Sequence, residues 1–217
     1  MFIIEKDSKS IASESYRTLR TNIQYSFFDK KVRVIVITSA DPEEGKSTTA
    51  ENFALSLAED GKNVILIDCD LRKPSLHKKF KLSNTLGLSE VLIGKEEGNK
   101  VAQWYSEHLV ILTSGTVPPN PSEMLASNAM SKLINNLKET FHYIILDTPP
   151  VQAVTDSQIL STKADGTILV VKAQETKKES IKNAIGLLRK VNANILGIVL
   201  NEVEASKENY YYYSGDK

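Results

Sequence analysis

A loop near residue 45 carries the residue types of a phosphate-binding site. It reads SADPEEGKSTT (residues 39–49), and its last part contains Gly45-Lys46-Ser47. In such a loop the backbone N–H groups at a helix N-terminus bind phosphate oxygens, the lysine reaches the β- and γ-phosphates, and the serine hydroxyl binds Mg²⁺. We therefore predict a site for ATP or ADP with Mg²⁺, whose loop residues are Glu44, Gly45, Lys46, Ser47 and Thr48.

The loop departs from the strict pattern G-x-x-x-x-G-K-[ST] at its first position, where Ala40 stands. Glu43 and Glu44 also bring negative charge into a loop that should bind anions, so Mg²⁺ and Lys46 have to outweigh them. The alternative interpretation is an ordinary loop with an exposed lysine. The loop follows an apolar run and precedes a helical pattern, and this context favours phosphate binding.

Three aspartates follow two other apolar runs. Asp68 and Asp70 lie in VILIDCDLRKP (residues 64–74), and Asp147 lies in YIILDTPP (residues 143–150). Aspartate at the end of a strand is often only a turn former, but three of them beside a phosphate loop suit a cation that prefers oxygen ligands. The predicted metal-binding residues are Ser47, Asp68, Asp70 and Asp147.

The elements that must position these residues alternate along the chain. Short, β-branched runs predict strands buried on both faces; they are residues 32–38, 63–68, 108–113, 143–147, 167–172 and 194–200. Helical patterns cover residues 8–25, 46–60, 121–140 and 177–191. This order predicts an α/β protein with a mostly parallel, doubly wound sheet flanked by helices, whose ligands bind at the carboxyl ends of the strands. We find no internal repeat, and we predict one domain over residues 1–203 with a flexible tail over 204–217.

Composition narrows the function classes. The 217 residues are 41% hydrophobic and 25% charged, which is typical of a globular domain with a sizeable core. Lys plus Arg (27) balances Asp plus Glu (27), so bulk charge predicts no nucleic-acid partner. Cys69 is the single cysteine of the sequence, so an internal disulfide is excluded. No stretch is apolar enough for a membrane span. We expect a cytoplasmic protein.

The C-terminal sequence ENYYYYSGDK contains four consecutive tyrosines, Tyr210, Tyr211, Tyr212 and Tyr213. Four identical residues in a row fit neither the strand period nor the helix period. One interpretation is a sticky, disordered terminus. The other is that the run is kept for its hydroxyl groups.

These motifs together resemble one known family. EGKST, ILIDCDLRKP and YIILDTPP resemble the Walker A, A′ and B motifs of the bacterial tyrosine kinases, which are cytoplasmic kinases of capsular and exopolysaccharide assembly. ESYRTLRTNI (residues 14–23), TSGTVPPNPSEML (residues 113–125) and the tyrosine cluster extend the resemblance over nearly the whole chain. Glu43 stands where the family usually has glycine.

The resemblance implies a P-loop kinase that phosphorylates its own tail tyrosines in trans and regulates capsular or exopolysaccharide synthesis or export. It also implies a homo-oligomeric, ring-like assembly through the N-terminal helix with Glu14, Arg17 and Arg20, although a solvated helix face would show the same charges. A transmembrane activator would recruit the kinase to the inner face of the plasma membrane.

Roles within the site follow from phosphoryl transfer. We predict Lys46, Asp68, Asp70 and Asp147 as catalytic, with Asp68 favoured as the base for the acceptor hydroxyl and Asp70 for the metal. Arg72 would either steady phosphate or neighbouring acids, or solvate a surface turn. Asn201, at the end of the last strand, matches an adenine-contacting position of related folds, although asparagine there is also a common turn former.

Partition and cell-division ATPases are the main alternative class. They share this fold and act as nucleotide-switched assembly proteins rather than as kinases. They resemble one another in a second lysine four residues before the last glycine of the loop, where this chain has Asp41. Asp41 and the tyrosine tail therefore favour the kinase. A catalytically inactive regulatory subunit is disfavoured because the lysine, the serine and the three aspartates are all present.

Overall fold

The computed structural model describes residues 2–26 and 32–204. The predicted tail, with its four tyrosines, lies outside the described residues from position 205 onward. Within residues 2–26 and 32–204, no helix combines the length and the apolar character that crossing a membrane requires.

A seven-stranded sheet forms the centre of the molecule. Its strands are β1 (Val34–Ser39), β2 (Val64–Asp68), β3 (Gln103–Ser106), β4 (Leu109–Leu112), β5 (Tyr143–Asp147), β6 (Gly166–Lys172) and β7 (Ile195–Asn201). The order across the sheet is β3-β4-β2-β5-β1-β6-β7, and every pair is parallel except β3 with β4. Strands β1, β2 and β4 are buried along their whole length, as continuous apolar runs predict.

Helices cover both faces of the sheet. They are α1 (Ile3–Lys6), α2 (Ile11–Ser26), α3 (Lys46–Glu59), α4 (Leu76–Phe80), α5 (Leu88–Leu92), α6 (Gly98–Val101), α7 (Pro121–Ala126), α8 (Asn128–Thr140), α9 (Asp156–Ser161) and α10 (Lys178–Lys190). One core lies under α3, with α2 packed outside it, and a second lies under α5, α7 and α8. Residues 49–58 of α3 are all buried, so the helix that begins at the phosphate loop is sandwiched between α2 and the sheet. The predicted mostly parallel, doubly wound fold is confirmed.

Three details of the sequence prediction were wrong. The strand predicted over residues 194–200 as buried on both faces is an edge strand, in which Ile198 and Leu200 are exposed. The predicted continuous helix 121–140 is broken at Ser127, whose backbone is extended (φ −60°, ψ 160°). Its hydroxyl accepts a hydrogen bond from the Met130 N–H at 3.2 Å. A serine that caps a new helix ends the previous one, because its side chain replaces a backbone carbonyl as acceptor. Strand β3 was also missed, because it is a short edge strand in which exposed positions such as Trp104 alternate with half-buried ones.

The cap at Ser127 generates a stability prediction. Ser127→Ala should lower the free energy of unfolding by about 1 kcal/mol, because the N-terminal N–H groups of α8 lose their side-chain acceptor. Ser127→Asp should retain most of the stability, since aspartate caps equally well. Chemical denaturation measures both values.

Asn135→Ala, at an exposed position within α8, is the matched control and should change stability little. Equal destabilisation by Ser127→Ala and Asn135→Ala would show that Ser127 does not act as a cap.

Candidate nucleotide-binding site

The predicted site residues meet at the carboxyl ends of the central strands. β5 lies between β1 and β2, with Ile37 of β1 opposite Asp147 and with Asp68 of β2 opposite Asp147. The phosphate loop leaves β1 at the same edge and enters α3 at Lys46. Parallel strands therefore bring the loop and the acids from three separate chain segments to one place.

Gly45 shapes the loop just before α3. It has φ +85° in the left-handed region, and a Cβ atom there would lie 1.9 Å from Asn201 Nδ2. Asn201 Nδ2 donates to the Glu44 carbonyl at 3.1 Å. Only glycine combines this backbone conformation with this close approach, so the end of β7 braces the loop.

Hydrogen bonds direct the carboxylate of the loop residue Glu44 to the backbone of the loop and to the segment after β6. Glu44 is buried, and its carboxylate accepts hydrogen bonds from the Asp41 N–H at 2.9 Å and from the Thr176 hydroxyl. Its carboxylate therefore connects the loop to the segment after β6. Glu43 has φ +64°, in the left-handed region that glycine adopts most easily. This conformation agrees with the glycine that the bacterial tyrosine kinases usually have at this position.

Lys46 is the central cation of the site. Its Nζ atom lies 3.1 Å from Ser47 Oγ, 3.6 Å from Asp70 Oδ2 and 3.8 Å from Asp147 Oδ1. Burial disfavours the charged ammonium, but the carboxylates of the site, led by that of Asp147, outweigh this effect and raise the pKa of Lys46. Lys46 therefore stays charged, as a phosphate-binding lysine must.

The Asp147 carboxylate differs from the other acids of the site, because it accepts no hydrogen bond from the part of the chain that the structure describes. It is fully buried, and neither oxygen has a hydrogen-bond partner within the described ranges. Burial raises the pKa of this carboxyl, and the nearby Lys46 ammonium and Ser47 hydroxyl offset part of that rise. An unsatisfied buried carboxylate is costly in isolation and is suited to a cation or its bound water.

The residues present fit Mg²⁺ bound together with a nucleotide. Among the described residues, no group of three or more His, Cys, Asp or Glu side chains is arranged to chelate a metal. Mg²⁺ in nucleotide sites needs no such cage, because it takes one or two carboxylates, substrate phosphates and waters. Ser47, Asp70 and Asp147 surround the Lys46 ammonium and provide oxygen atoms of this kind.

Asp68 has a different environment. One oxygen accepts from the Asp70 N–H at 3.2 Å, and the other accepts from the N–H groups of Ser75 and Leu76 at 3.0 Å each. These bonds hold the segment between β2 and α4 against the strand end. Burial, with the neighbouring Asp147 charge, raises the pKa of Asp68 to about 7 despite these hydrogen bonds.

Arg72 steadies a neighbouring acid. Its guanidinium binds the buried Asp156 carboxylate through Nε at 2.9 Å and through a second nitrogen at 3.1 Å. Ser122 Oγ donates to the same carboxylate at 2.7 Å. The pair thus joins the loop after β2 to α7 and α9, and it supports the site from outside.

Sequence reasoning missed a second ion pair beside the loop. Glu51, one turn beyond Ser47 on α3, is buried, and its carboxylate lies 2.9 Å from Lys79 Nζ of α4. Lys79 Nζ also donates to Thr48 Oγ1 at 3.3 Å. Burial raises the pKa of Glu51 to about 7, although Lys79 opposes the rise. The four-residue spacing from Ser47 was a signal for Glu51, whereas nothing in the local sequence indicated Lys79.

The predicted assembly residues lie away from the site. Arg17 of α2 contacts Glu14 and Glu59, and Arg20 donates to the Ser56 carbonyl at 2.6 Å. Both arginines therefore join α2 to the C-terminal end of α3, about 15–20 Å along that helix from Lys46 at 1.5 Å per residue.

Comparisons with known proteins agree with this geometry. The family model described as NUBPL iron-transfer P-loop NTPase matches residues 30–210. The tyrosine-protein kinase YwqD of Bacillus subtilis is 45% identical over 97% of this chain and 90% of its own length. The putative tyrosine-protein kinase CapB of Staphylococcus aureus is 38% identical over 96% of this chain and 92% of its own.

Solved structures of tyrosine kinases are also similar to this chain. The kinase domain of the Escherichia coli tyrosine kinase ETK superposes with a TM-score of 0.91 at 32% identity, covering 95% of this chain and 82% of that one. A plasmid partition protein from Borrelia burgdorferi has a TM-score of 0.64 at 21% identity, over 83% of this chain and 85% of that one, which indicates a shared fold alone. The chain therefore belongs to the bacterial tyrosine kinases, which are built on the P-loop NTPase fold.

Proposed function

We propose that this kinase transfers the γ-phosphoryl group of ATP to tyrosines of its own C-terminal tail, with the tail of one subunit entering the site of another. The observation that carries the proposal is the Lys46 ammonium at the phosphate loop, 3.6 Å from Asp70 and 3.8 Å from Asp147. A lysine among strand-end acids is what phosphoryl transfer requires, since its catalysis is mostly positioning and charge stabilisation.

Within this mechanism the loop residues 44–48 bind the nucleotide phosphates, and Lys46 reaches the β- and γ-phosphates. Mg²⁺, held by Ser47 with Asp70 and Asp147, would neutralise charge on those phosphates. Asn201 lies against the loop at the Glu44 carbonyl, and we propose that it also contacts the adenine side of the nucleotide.

Asp68 is our candidate for the base that accepts the phenolic proton. An ionised carboxylate has about four lone-pair sites, and three backbone N–H groups use three of them. The bonds hold Asp68 rigidly at the strand end and leave one site for a tyrosine hydroxyl. A general base must first lie within hydrogen-bond distance of the proton that it accepts, and only then does its pKa matter.

The tail is the best-suited acceptor among the tyrosines of the chain. Tyr16 is buried, and the Tyr105 hydroxyl donates to Glu5 at 2.7 Å. A phosphoacceptor has to leave its own surroundings to enter a neighbouring site, and contacts of this kind within the folded domain oppose that movement. Assembly through α2 would raise the local concentration of a neighbour's tail.

The cellular role follows from the resemblance to kinases of capsular and exopolysaccharide assembly. We propose that the kinase acts in the cytoplasm, that it regulates polysaccharide synthesis or export, and that a separate transmembrane protein activates it and holds it at the membrane. One measurement tests this arrangement: phosphotyrosine formation by the purified chain in the presence and absence of the cytoplasmic segment of a candidate activator.

Lys46→Met should reduce tyrosine phosphorylation by a factor on the order of 10² or more, because the substitution removes the cation that reaches the transferred phosphate. Labelled ATP with Mg²⁺ measures the rate, and circular dichroism verifies folding. Lys95→Met, at an exposed lysine outside the site, is the matched control and should retain full activity. Normal labelling by folded Lys46→Met protein would refute the site.

Truncation after Asn209 should remove most tyrosine labelling and leave ATP affinity unchanged, because the tail supplies the acceptors but no part of the loop. Mass spectrometry of the labelled peptides locates the phosphate. Label of normal intensity on Tyr25, which is exposed on α2, or on Tyr16, Tyr105 or Tyr143 would show that the tail is not the main acceptor.

Replacing Arg17 and Arg20 together with alanine should decrease the particle mass measured by light scattering and leave nucleotide affinity intact. The contacts of both arginines with α3 are also expected to contribute to stability, so thermal unfolding accompanies the measurement. The control replaces the exposed Arg189 and Lys190 of α10. An unchanged mass for the α2 variant would rule out a role in assembly.

A further inference from the structure

Strand β7 ends the sheet with apolar side chains in contact with solvent. Ile198 is 48% exposed, Leu200 is 56% exposed, and Val203, just beyond the strand, is 59% exposed. We refer to these three side chains as the β7 patch. Exposed apolar edge strands are unusual because they invite pairing with another strand.

Outward-facing backbone groups of β7 have no partner among the described residues. The Asn201 carbonyl accepts from the Ala173 N–H at 2.8 Å, so the backbone groups of Asn201 face β6. Successive residues of a strand direct these groups to opposite sides, and those of Ile198 and Leu200 therefore point away from the sheet. Within the described part of the chain, no strand lies beyond β7.

Both faces beside this edge provide apolar contacts. Ile198 and Leu200 are opposite Leu169 and Val171, which belong to the core beneath α10. Toward α2, a cavity of about 150 Å³ lies between α2 and β7, and Ile198 also contributes to its lining. Its lining includes Leu19, Ile23, Leu196 and Val199. A strand added to β7 would thus find apolar surface for the side chains on each of its two faces.

The chain itself supplies a candidate strand close by. After β7, Glu202 takes a left-handed conformation (φ +56°), and its carboxylate lies 3.1 Å from Lys172 Nζ. The segment 205–217 follows Glu204 and contains Tyr210–Tyr213. Residues 202–209 are ample to reverse the chain, since hairpin loops commonly need about two to five residues.

We propose that the unphosphorylated tail folds back and adds residues 210–213 to β7 as an antiparallel strand. Tyrosine favours strands, and aromatic rings opposite β-branched or aliphatic residues are stabilising cross-strand pairs. Alternation directs two rings toward the β7 patch and two toward the cavity beside α2. Four consecutive tyrosines would therefore contact apolar surface on both faces of the added strand. A strand with alternating apolar and polar residues would make such contacts on one face only.

The docked tail is withheld from neighbouring active sites. Each phosphate adds about −1.5 to −2 charges at neutral pH, and such a group is poorly accommodated on apolar surface beside Glu202 and Glu204. Docking therefore selects the unmodified tail and competes with delivery to a neighbour. This regulatory meaning rests on the proposed autophosphorylation, whereas the docking itself needs no catalysis.

Hydrogen exchange tests the docking without any measurement of activity. Phosphatase-treated full chain, free of nucleotide, is compared with protein truncated after Asn209 across a range of protein concentrations. The peptide that covers β7 should exchange about tenfold more slowly in the full chain at every concentration, because the outward N–H groups of Ile198 and Leu200 gain acceptors.

Ile198→Thr with Leu200→Thr should bring the exchange of the full chain to the level of the equally substituted truncated chain, since threonine keeps strand propensity but removes apolar contact. Ile93→Thr, at an exposed isoleucine after α5, is the control and should preserve the tail-dependent protection. Equal exchange of full-length and truncated protein would overturn the proposal. Protection that grows with protein concentration would overturn it as well, because the occupant would then be a second copy of the chain.

Discussion

The buried Lys46 ammonium among strand-end carboxylates is the interaction on which the rest of the structure depends. Asp68 and Asp147 are opposite one another on adjacent strands, so their charges are close together and away from water. Because the pKa values of Asp68 and Glu51 rise from 3.8 and 4.5 to about 7, the folded state binds more protons than the unfolded state between those values. Both groups therefore oppose folding increasingly as the pH rises through that range. The buried acids of the site therefore lower the free energy of unfolding at neutral pH.

The fold surrounds the site with contacts that hold its loop and its acids in position. Helix α3 is buried from residue 49 to 58, Arg72 with Asp156 joins the loop after β2 to two helices, and Glu44 ties the phosphate loop to Thr176. The supports at Asp156 and Glu44 use hydrogen bonds to satisfy buried carboxylates. The loop and the acids are thus held in position.

Much of this arrangement could be predicted, and the errors have physical causes. Continuous β-branched runs predicted the six parallel strands, because strands buried on both faces have no polar side to obscure them. The same pattern did not show that β7 is an edge strand, because its exposed positions Ile198 and Leu200 are apolar as well. The break at Ser127 was missed because a capping serine looks like any other polar residue within a helical pattern. The ion pair of Glu51 and Lys79 was missed because its partners lie 28 residues apart on different helices.

By itself, the sequence determined the chemistry of this protein: a lysine and a serine at the end of a phosphate loop, aspartates after two strands, and tyrosines in the tail. These are local patterns, since each depends on neighbours along the chain. The tertiary structure alone decided how that chemistry is arranged. It left the Asp147 carboxylate without a hydrogen-bond donor among the described residues, gave Asp68 three backbone donors and paired Arg72 with Asp156. The physical reason is that hydrogen bonds and burial depend on which segments the sheet brings together, and no single segment contains that information.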